Sequence, residues 1–240
     1  MKTLIVIPCY NEAKRLRGEV FSAYCAEHPD TDFLFANDGS TDNTLQVLNE
    51  LAVGSERMHV LDLQPNGGKA EAVRRGMLHA AEYTDAQYIG FWDADLATPL
   101  DEMPDFVKWA DLGYDMVTGL RLKRLGAKVE RKPTRHYMGR VFATCASALL
   151  RLPVYDTQCG SKLYRRDIVP ELFASSFITR WLFDVELLAR YKQQYGAECA
   201  RTKIYELPLY KWEDVAGSRL KGRDFIKAPV ELLKIWRAYR

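Results

Sequence analysis

The sequence predicts an α/β fold, an open, doubly wound, mostly parallel sheet with helices covering both faces. Short apolar runs alternate with helical patterns through the first half of the 240-residue chain, in βαβα order. Several of these runs are apolar without alternation, as strands are when helices bury both of their faces. Polar clusters follow one strand after another, at the carboxyl ends where open α/β sheets bind ligands.

The first strand is Thr3–Ile7, followed at once by Pro8-Cys9-Tyr10-Asn11-Glu12 and a helical pattern over Ala13–Ala26. Phe33–Ala36 is the second. Asn37-Asp38-Gly39-Ser40-Thr41-Asp42 comes next, where Asp38-Gly39 favours a turn and Ser40 or Thr41 can cap a helix over Thr41–Leu51. Met58–Leu63 is the third strand, and Gln64-Pro65-Asn66-Gly67-Gly68 leads into a helix over Lys69–Glu82. Tyr88–Trp92 is the fourth, ending in Asp93-Ala94-Asp95, and Leu100–Leu112 and Met116–Thr118 continue the pattern as helix and strand. Later, Arg135 opens a helical pattern, and Asp184 and Glu186 lie on a helix after Arg180-Trp181. No internal repeat or low-complexity linker appears. Residues 1–220 therefore read as one domain with halves 1–120 and 121–220, followed by a basic amphipathic helix over 221–240.

Asp93-Ala94-Asp95 is the most informative of the four clusters. In extended backbone, residues i and i+2 project to the same side. Two carboxylates so placed at the end of a buried strand repel unless a cation lies between them. A hard divalent ion would neutralise them and would take phosphate oxygens to complete its shell. Gly67-Gly68-Lys69 is not a Walker loop, because Leu63 stands where its first glycine would be and Ala70 where its Ser/Thr would be. No GxGxxG follows the first strand, which argues against a dinucleotide site of that type.

The chain is 48% hydrophobic and 28% charged, an ordinary globular composition. Its five cysteines form no CxxC pair, which fits a reducing compartment. The apolar start is too short for a signal-peptide core, and no run approaches the ~20 apolar residues that span a bilayer. A cytoplasmic location is expected. Net charge is +2, unevenly spread: residues 121–140 hold eight lysines and arginines against Glu130 alone, and residues 219–240 hold seven against Asp224 and Glu231. Two basic segments on an otherwise acidic chain point to localised anionic partners rather than to nucleic acid. In the second, Phe225, Ile226, Val230, Leu233 and Trp236 recur near helical spacing among basic residues. Such a helix either lies on an anionic membrane or packs on the core.

In their order along one chain, these segments resemble the inverting family 2 of nucleotide-sugar glycosyltransferases. The match runs through Ile7-Pro8-Cys9-Tyr10-Asn11-Glu12, Asn37-Asp38-Gly39-Ser40-Thr41-Asp42, Asn66-Gly67-Gly68-Lys69 and Asp93-Ala94-Asp95-Leu96. It continues through Asp156-Thr157-Gln158-Cys159-Gly160-Ser161-Lys162-Leu163-Tyr164, the Arg180–Leu187 segment and Trp212–Ser218. It is strongest with the branch that transfers a sugar to dolichyl or polyprenyl phosphate, particularly the β-glucosyltransferases. The resemblance implies a GT-A fold with a nucleotide-binding half over 1–120 and an acceptor-side half over 121–220. It implies a nucleotide-sugar donor, with UDP-glucose expected, and Mg²⁺ or Mn²⁺ at the Asp-x-Asp unit.

By the same resemblance, Pro8, Tyr10 and Glu12 line the base and ribose pocket, Ser40 belongs to the nucleotide site, and Asp38 accepts the ring N–H of uracil. Asp93 faces ribose or metal, and Asp95 ligates the metal. Lys69 either compensates phosphate charge or is an exposed first-turn lysine. Arg121 and Arg135 match the places where lipid-phosphate transferases hold the acceptor phosphate, and guanidinium groups suit phosphate oxygens. One turn later the chain departs from those relatives with Gly139. Asp156 is the first candidate for a base if one is used, and Asp184 is either catalytic or a structural ion-pair partner. Trp212 reads as core, with packing over the sugar as the other option. The expected activity is transfer of a hexose to a lipid phosphate at the inner face of the membrane, with peripheral attachment. Two other readings stay open. One is transfer to a saccharide hydroxyl in cell-surface glycan synthesis, and the other is a non-catalytic nucleotide-sugar binding module.

Overall fold

A computed structural model describes residues 2–130, 133–215 and 222–240, with side chains described over 2–130, 137–215 and 227–240. Strands and helices alternate as the sequence predicts: β1 (Thr3–Cys9), α1 (Gly18–Glu27), β2 (Thr31–Asp38), α2 (Thr44–Ala52), β3 (Met58–Leu63), α3 (Lys69–Tyr83) and β4 (Tyr88–Trp92). A short 3₁₀ turn (Leu100–Glu102), α4 (Met103–Asp111), β5 (Met116–Leu120), β6 (Lys128–Glu130) and α5 (Pro133–Leu150) follow. The chain continues through β7 (Ser161–Arg165), a 3₁₀ turn (Arg166–Ile168), α6 (Val169–Phe173), α7 (Phe183–Lys203), β8 (Ile204–Pro208), β9 (Lys211–Glu213) and α8 (Gly222–Tyr239). Strand order in the main sheet is β3-β2-β1-β4-β7-β5-β8, and β6 pairs separately with β9. The pairs β1–β2, β1–β4, β2–β3 and β5–β8 are parallel.

Contacts gather the chain into two compact units. One is Met1–Leu96 with Leu163–Ser176, and the other is Ala97–Lys162 with Phe177–Arg240. In the first, β1, β2 and β4 are almost wholly buried, which explains their unbroken apolar runs. Helix α3 lies so close to β1 that a Cβ on Gly76 would sit 2.5 Å from the Val6 side chain. The parallel register sets the carboxyl ends of β1 to β4 at one edge, where the four polar clusters emerge.

In the second unit, α4 packs on β5 and β8, and α7 carries a buried amino-terminal half from Phe183 to Tyr191. Helices α5, α7 and α8 pack on one another. Helix α7 breaks at Gly196, whose φ of 88° lies outside helical space. Among the described residues, no helix is long and apolar enough to cross a membrane.

Three element starts differ from the sequence reading. Helix α1 begins at Gly18, because the amides of Glu12 and Ala13 bond the Thr44 hydroxyl at 2.8 and 3.0 Å instead of opening a helix. Helix α2 begins at Thr44, because the amides of Thr41 and Asp42 go to Asn11 Oδ1. The stretch 100–112 divides at Pro104, which occupies the first turn of α4 and has no amide to donate backward.

Candidate active site

In the first unit, the loop after β1 is tied to the loop after β2 by short polar side chains. Asn11 adopts φ 51°, a left-handed conformation that asparagine tolerates. Its amide bonds Ser40 Oγ at 3.0 Å, and its own Oδ1 accepts the Thr41 amide at 2.8 Å. Ser40 thus joins the two loops, with Pro8 and Tyr10 half-buried beside them. Glu12 is only 8% exposed, and its carboxylate forks onto Arg15 through Oε1 at 2.6 Å and Oε2 at 3.0 Å. Arg15 is held firmly protonated, chiefly by Glu12 and at longer range by Asp95.

Asp38 ends β2 at 3% exposure. Its carboxylate accepts the Asn66 amide at 2.9 Å and the backbone amides of Gly67 and Gly68, each at 2.8 Å. Asp38 therefore clasps the turn that leads into α3, whose amino-terminal cap is Gly68 at φ 88°. Gly39 has φ 60°, and a Cβ there would lie 2.7 Å from the Asn66 amide nitrogen. Glycine is required on both counts.

After β4 the burial pattern alternates. Asp93 and Asp95 are half-exposed, whereas Ala94 and Leu96 between and beyond them are buried. The pair does not lie in extended backbone as expected: β4 ends at Trp92, the Leu96 amide bonds the Asp93 carbonyl at 3.1 Å and Leu96 has φ 53°, so Asp93-Ala94-Asp95 forms a turn. Lys69 Nζ lies 2.5 Å from Asp93 Oδ1, with the two side chains 44% and 34% exposed. Among the described residues, no three or more His, Cys, Asp or Glu side chains converge as a metal cluster. Two hard carboxylates at a solvent-accessible strand end fit a divalent ion that takes its other ligands from phosphate oxygens and water. Cys9, the last residue of β1, is buried, and burial raises its thiol pKa well above the usual range, with Glu12 adding to the effect. That is a packing thiol.

The second unit holds the other sequence-predicted residues. Arg121 follows β5 directly. Its Nε and Nη2 donate to the two oxygens of Asp156 at 2.7 and 2.8 Å, and its backbone amide donates to the same carboxylate at 3.1 Å. The guanidinium lies over the Trp212 ring, 5.3 Å from its centroid. Trp212, 7% exposed, is a packing residue as the sequence indicated, and its ring is a platform for Arg121. With the Gln158 amide at 3.2 Å, Asp156 accepts at least four hydrogen bonds. Asp184, in the first turn of α7 and 6% exposed, takes Lys162 Nζ at 2.6 Å, and that ammonium also donates to the Cys159 carbonyl. The side chain of Arg135 lies outside the described residues; its backbone belongs to α5.

Two supporting carboxylates escaped the sequence reading. Glu206 on β8 accepts the Asp156 amide at 2.7 Å and the Tyr155 amide at 2.7–2.9 Å. Burial raises its pKa, against the lowering effect of those two amides, and Asp156 pushes it further up. Glu102, 7% exposed, accepts the amides of Tyr210 and Lys211 at 3.1 and 2.7 Å and so anchors β9, which carries Trp212. The available signal was a single carboxylate inside the otherwise uncharged strand Ile204–Pro208, where burial without a partner is costly.

Comparisons with known proteins bear on this arrangement. Residues 4–173 match the family described as glycosyl transferase family 2. A dolichyl-phosphate beta-glucosyltransferase of Trichomonas vaginalis is 31% identical over 247 residues, spanning 97% of this chain and 70% of its own length. The enzyme of the same name from Drosophila melanogaster is 30% identical, spanning 98% of this chain and 74% of its own. Among solved structures, glucosyl-3-phosphoglycerate synthase from Mycobacterium tuberculosis, in complex with Mn²⁺, UDP and glucosyl-3-phosphoglycerate, superposes with a TM-score of 0.68. It is 18% identical, over 98% of this chain and 80% of that one, and shares the GT-A fold. The resemblance read from the ordered motifs, and its leaning to the dolichyl-phosphate branch, are borne out: the chain belongs to glycosyl transferase family 2.

Proposed function

We propose that this chain transfers glucose from UDP-glucose to dolichyl or another polyprenyl phosphate, inverting the anomeric configuration. The observation that carries this reading is Arg121, a guanidinium at the end of β5 whose plane Asp156 and Trp212 fix. An acceptor phosphate needs a cation held in one orientation, and a pre-set guanidinium meets that need. Similarity over nearly the whole chain to dolichyl-phosphate beta-glucosyltransferases supports the same acceptor.

In this reading Tyr10 and Pro8 face the base. Asp38 has three donors already, and a carboxylate has room for about four, so the ring N–H of uracil completes its set. Glu12, held by Arg15, and Ser40 shape the ribose side, and Lys69 brings positive charge to the diphosphate. Asp93 and Asp95 would hold Mg²⁺ or Mn²⁺, which supplies Lewis-acid stabilisation of the charge that develops on the leaving diphosphate. A phosphate oxygen of the acceptor forms the new bond to the anomeric carbon while the bond to the UDP oxygen breaks. A phosphate monoester has its second pKa near about 6, so the attacking oxygen is already ionised and no base is required. That agrees with Asp156 and Asp184, both engaged with cations, acting as positioning groups. A lipid-borne acceptor places the work at a membrane surface, with peripheral attachment.

The test is incubation with UDP-glucose, Mn²⁺ or Mg²⁺ and a short-chain prenyl phosphate dispersed in detergent, with UDP release and glucosyl phosphoprenol measured together. Acceptor-dependent formation of both supports the proposal. UDP release that responds only to saccharide acceptors overturns it.

A further inference from the structure

Over residues 137–150, the part of α5 whose side chains are described, the outward face carries no charge. Tyr137, Met138, Val141, Thr144, Cys145 and Ala148 are exposed and fall on one side of the helix, with Tyr137 at 71% and Val141 at 67%. The one charged residue between 137 and 150, Arg140, turns inward: it donates to the Tyr155 carbonyl at 2.8 Å and stacks on the Tyr155 ring. A helix surface of nearly four turns without a charge is unusual on a protein that meets only water.

Helix α8 packs beside α5. Ala228, Leu232 and Ile235 are buried, and the Tyr239 hydroxyl donates to Glu186 at 2.9 Å and accepts from Arg190 at 3.1 Å. That fixes its inner face on α7. The opposite face exposes Val230, Leu233 and Trp236 together with Lys227, Lys234 and Arg237. Glu231, the one acidic residue among the described side chains of α8, is half-buried. Apolar and aromatic side chains flanked by basic groups alone match the boundary between acyl chains and anionic headgroups.

We propose that the exposed faces of α5 and α8 together form a docking surface for an anionic lipid bilayer. The proposal deepens the reading of a lipid-phosphate acceptor and rests on it for its purpose, while the surface itself is independent of donor and chemistry. Charge complementarity selects the occupant. A protein partner matched to this surface would have to bring both an apolar face and a dense acidic rim, whereas a bilayer with anionic lipid offers the two as one layer.

The experiment is sedimentation with phosphatidylcholine vesicles, with and without phosphatidylserine, alongside transfer to detergent-dispersed short-chain prenyl phosphate. The wild-type chain is expected to sediment with the mixed vesicles and far less with phosphatidylcholine alone. Met138→Glu with Val141→Glu on α5, or Lys234→Glu with Arg237→Glu on α8, should each lower partitioning roughly tenfold or more. Lys108→Glu, at an exposed position of α4, should not. Both double variants should keep wild-type melting temperature and wild-type transfer to the dispersed acceptor. A wild-type chain that ignores mixed vesicles, or double variants that sediment normally, would overturn the docking surface. So would a Val141→Glu change that turns a dimer into a monomer with vesicle binding intact, since a second copy would then be the occupant. Vesicle binding without any transfer to prenyl phosphate would sink the proposed acceptor and leave the surface standing.

Discussion

Lys69–Asp93 and Lys162–Asp184 are ion pairs of nearly equal length, 2.5 and 2.6 Å, in very different settings. The first lies at the end of β4 with its side chains 44% and 34% exposed, and the second beside α7 with 2% and 8%. An exposed pair is worth about 0–1 kcal/mol, because water screens it and solvates the separated ions well. Breaking a buried pair costs about 3–5 kcal/mol, because the charge left behind has neither partner nor water. The Lys69–Asp93 pair is therefore exchangeable, as the proposed entry of a cation and a diphosphate there requires. The Lys162–Asp184 pair is scaffold. Asp156–Arg121, at 9% and 12% exposure, belongs with the scaffold by burial, although in the proposed reading it presents Arg121 to the acceptor.

The sharpest way to break this contrast is at Asp95. If the half-exposed carboxylates hold the metal, Asp95→Ala should reduce metal-dependent transfer by about 10³-fold or more while barely changing the melting temperature. A turnover number within tenfold of wild type would remove Asp95 from the site. Asp184→Asn should do the reverse and lower unfolding stability by about 3 kcal/mol in denaturant titration, since Lys162 is left buried. Replacing both partners by apolar residues should recover most of that loss, and failure to recover would assign Asp184 a role beyond the ion pair. Arg121→Lys comes next. It keeps the charge and loses the planar fork, so the acceptor KM should rise roughly 10- to 30-fold with little change in the KM for UDP-glucose. Asp156→Asn should raise the same constant, and the double variant should be no worse than Arg121→Lys alone, because the two act as one unit.

The same contrast explains what the sequence disclosed. The loops of the first unit are built from adjacent residues whose chemistry is local: Asn66-Gly67-Gly68 needs glycine conformations, and Asp93-Ala94-Asp95 turns directly off the buried end of β4. Strands β1 to β5 were legible to within two residues because apolar runs end at such turns. The starts of α1 and α2 were not, since Thr44 and Asn11 satisfy amides about 30 residues away in sequence. In the second unit the partners are further apart still. Arg121 and Asp156 are 35 residues apart and Asp156 and Glu206 are 50, so Arg121 and Asp156 were singled out without their pairing and Glu206 was missed. Asp156, the first candidate if a base is used, is found holding Arg121, a pairing that its own segment does not announce.

Glu206 offers the finest test, because its effects on activity and on stability should have opposite signs. Its pKa is raised above the ordinary carboxylate value by burial and by Asp156, with Arg140 and the Tyr155 and Asp156 amides opposing. The folded protein therefore binds a proton more readily than the unfolded chain at this site. Glu206 favours folding most below about pH 4.5, and that contribution fades as pH rises through the folded-state value. The clamp behaves otherwise: a protonated carboxyl turns one acceptor into a donor, facing amides that need acceptors on both oxygens. On acidification from neutrality, acceptor KM in the wild type should climb by a factor of a few more than in Glu206→Gln. Over the same range the wild type should gain stability relative to that variant. Measuring both against the variant cancels the other carboxylates, including Asp42, whose pKa is lowered through its bonds to Thr44. Parallel acid limbs in KM for the two proteins would confine Glu206 to holding β8 against the Tyr155 loop, with no part in presenting Arg121.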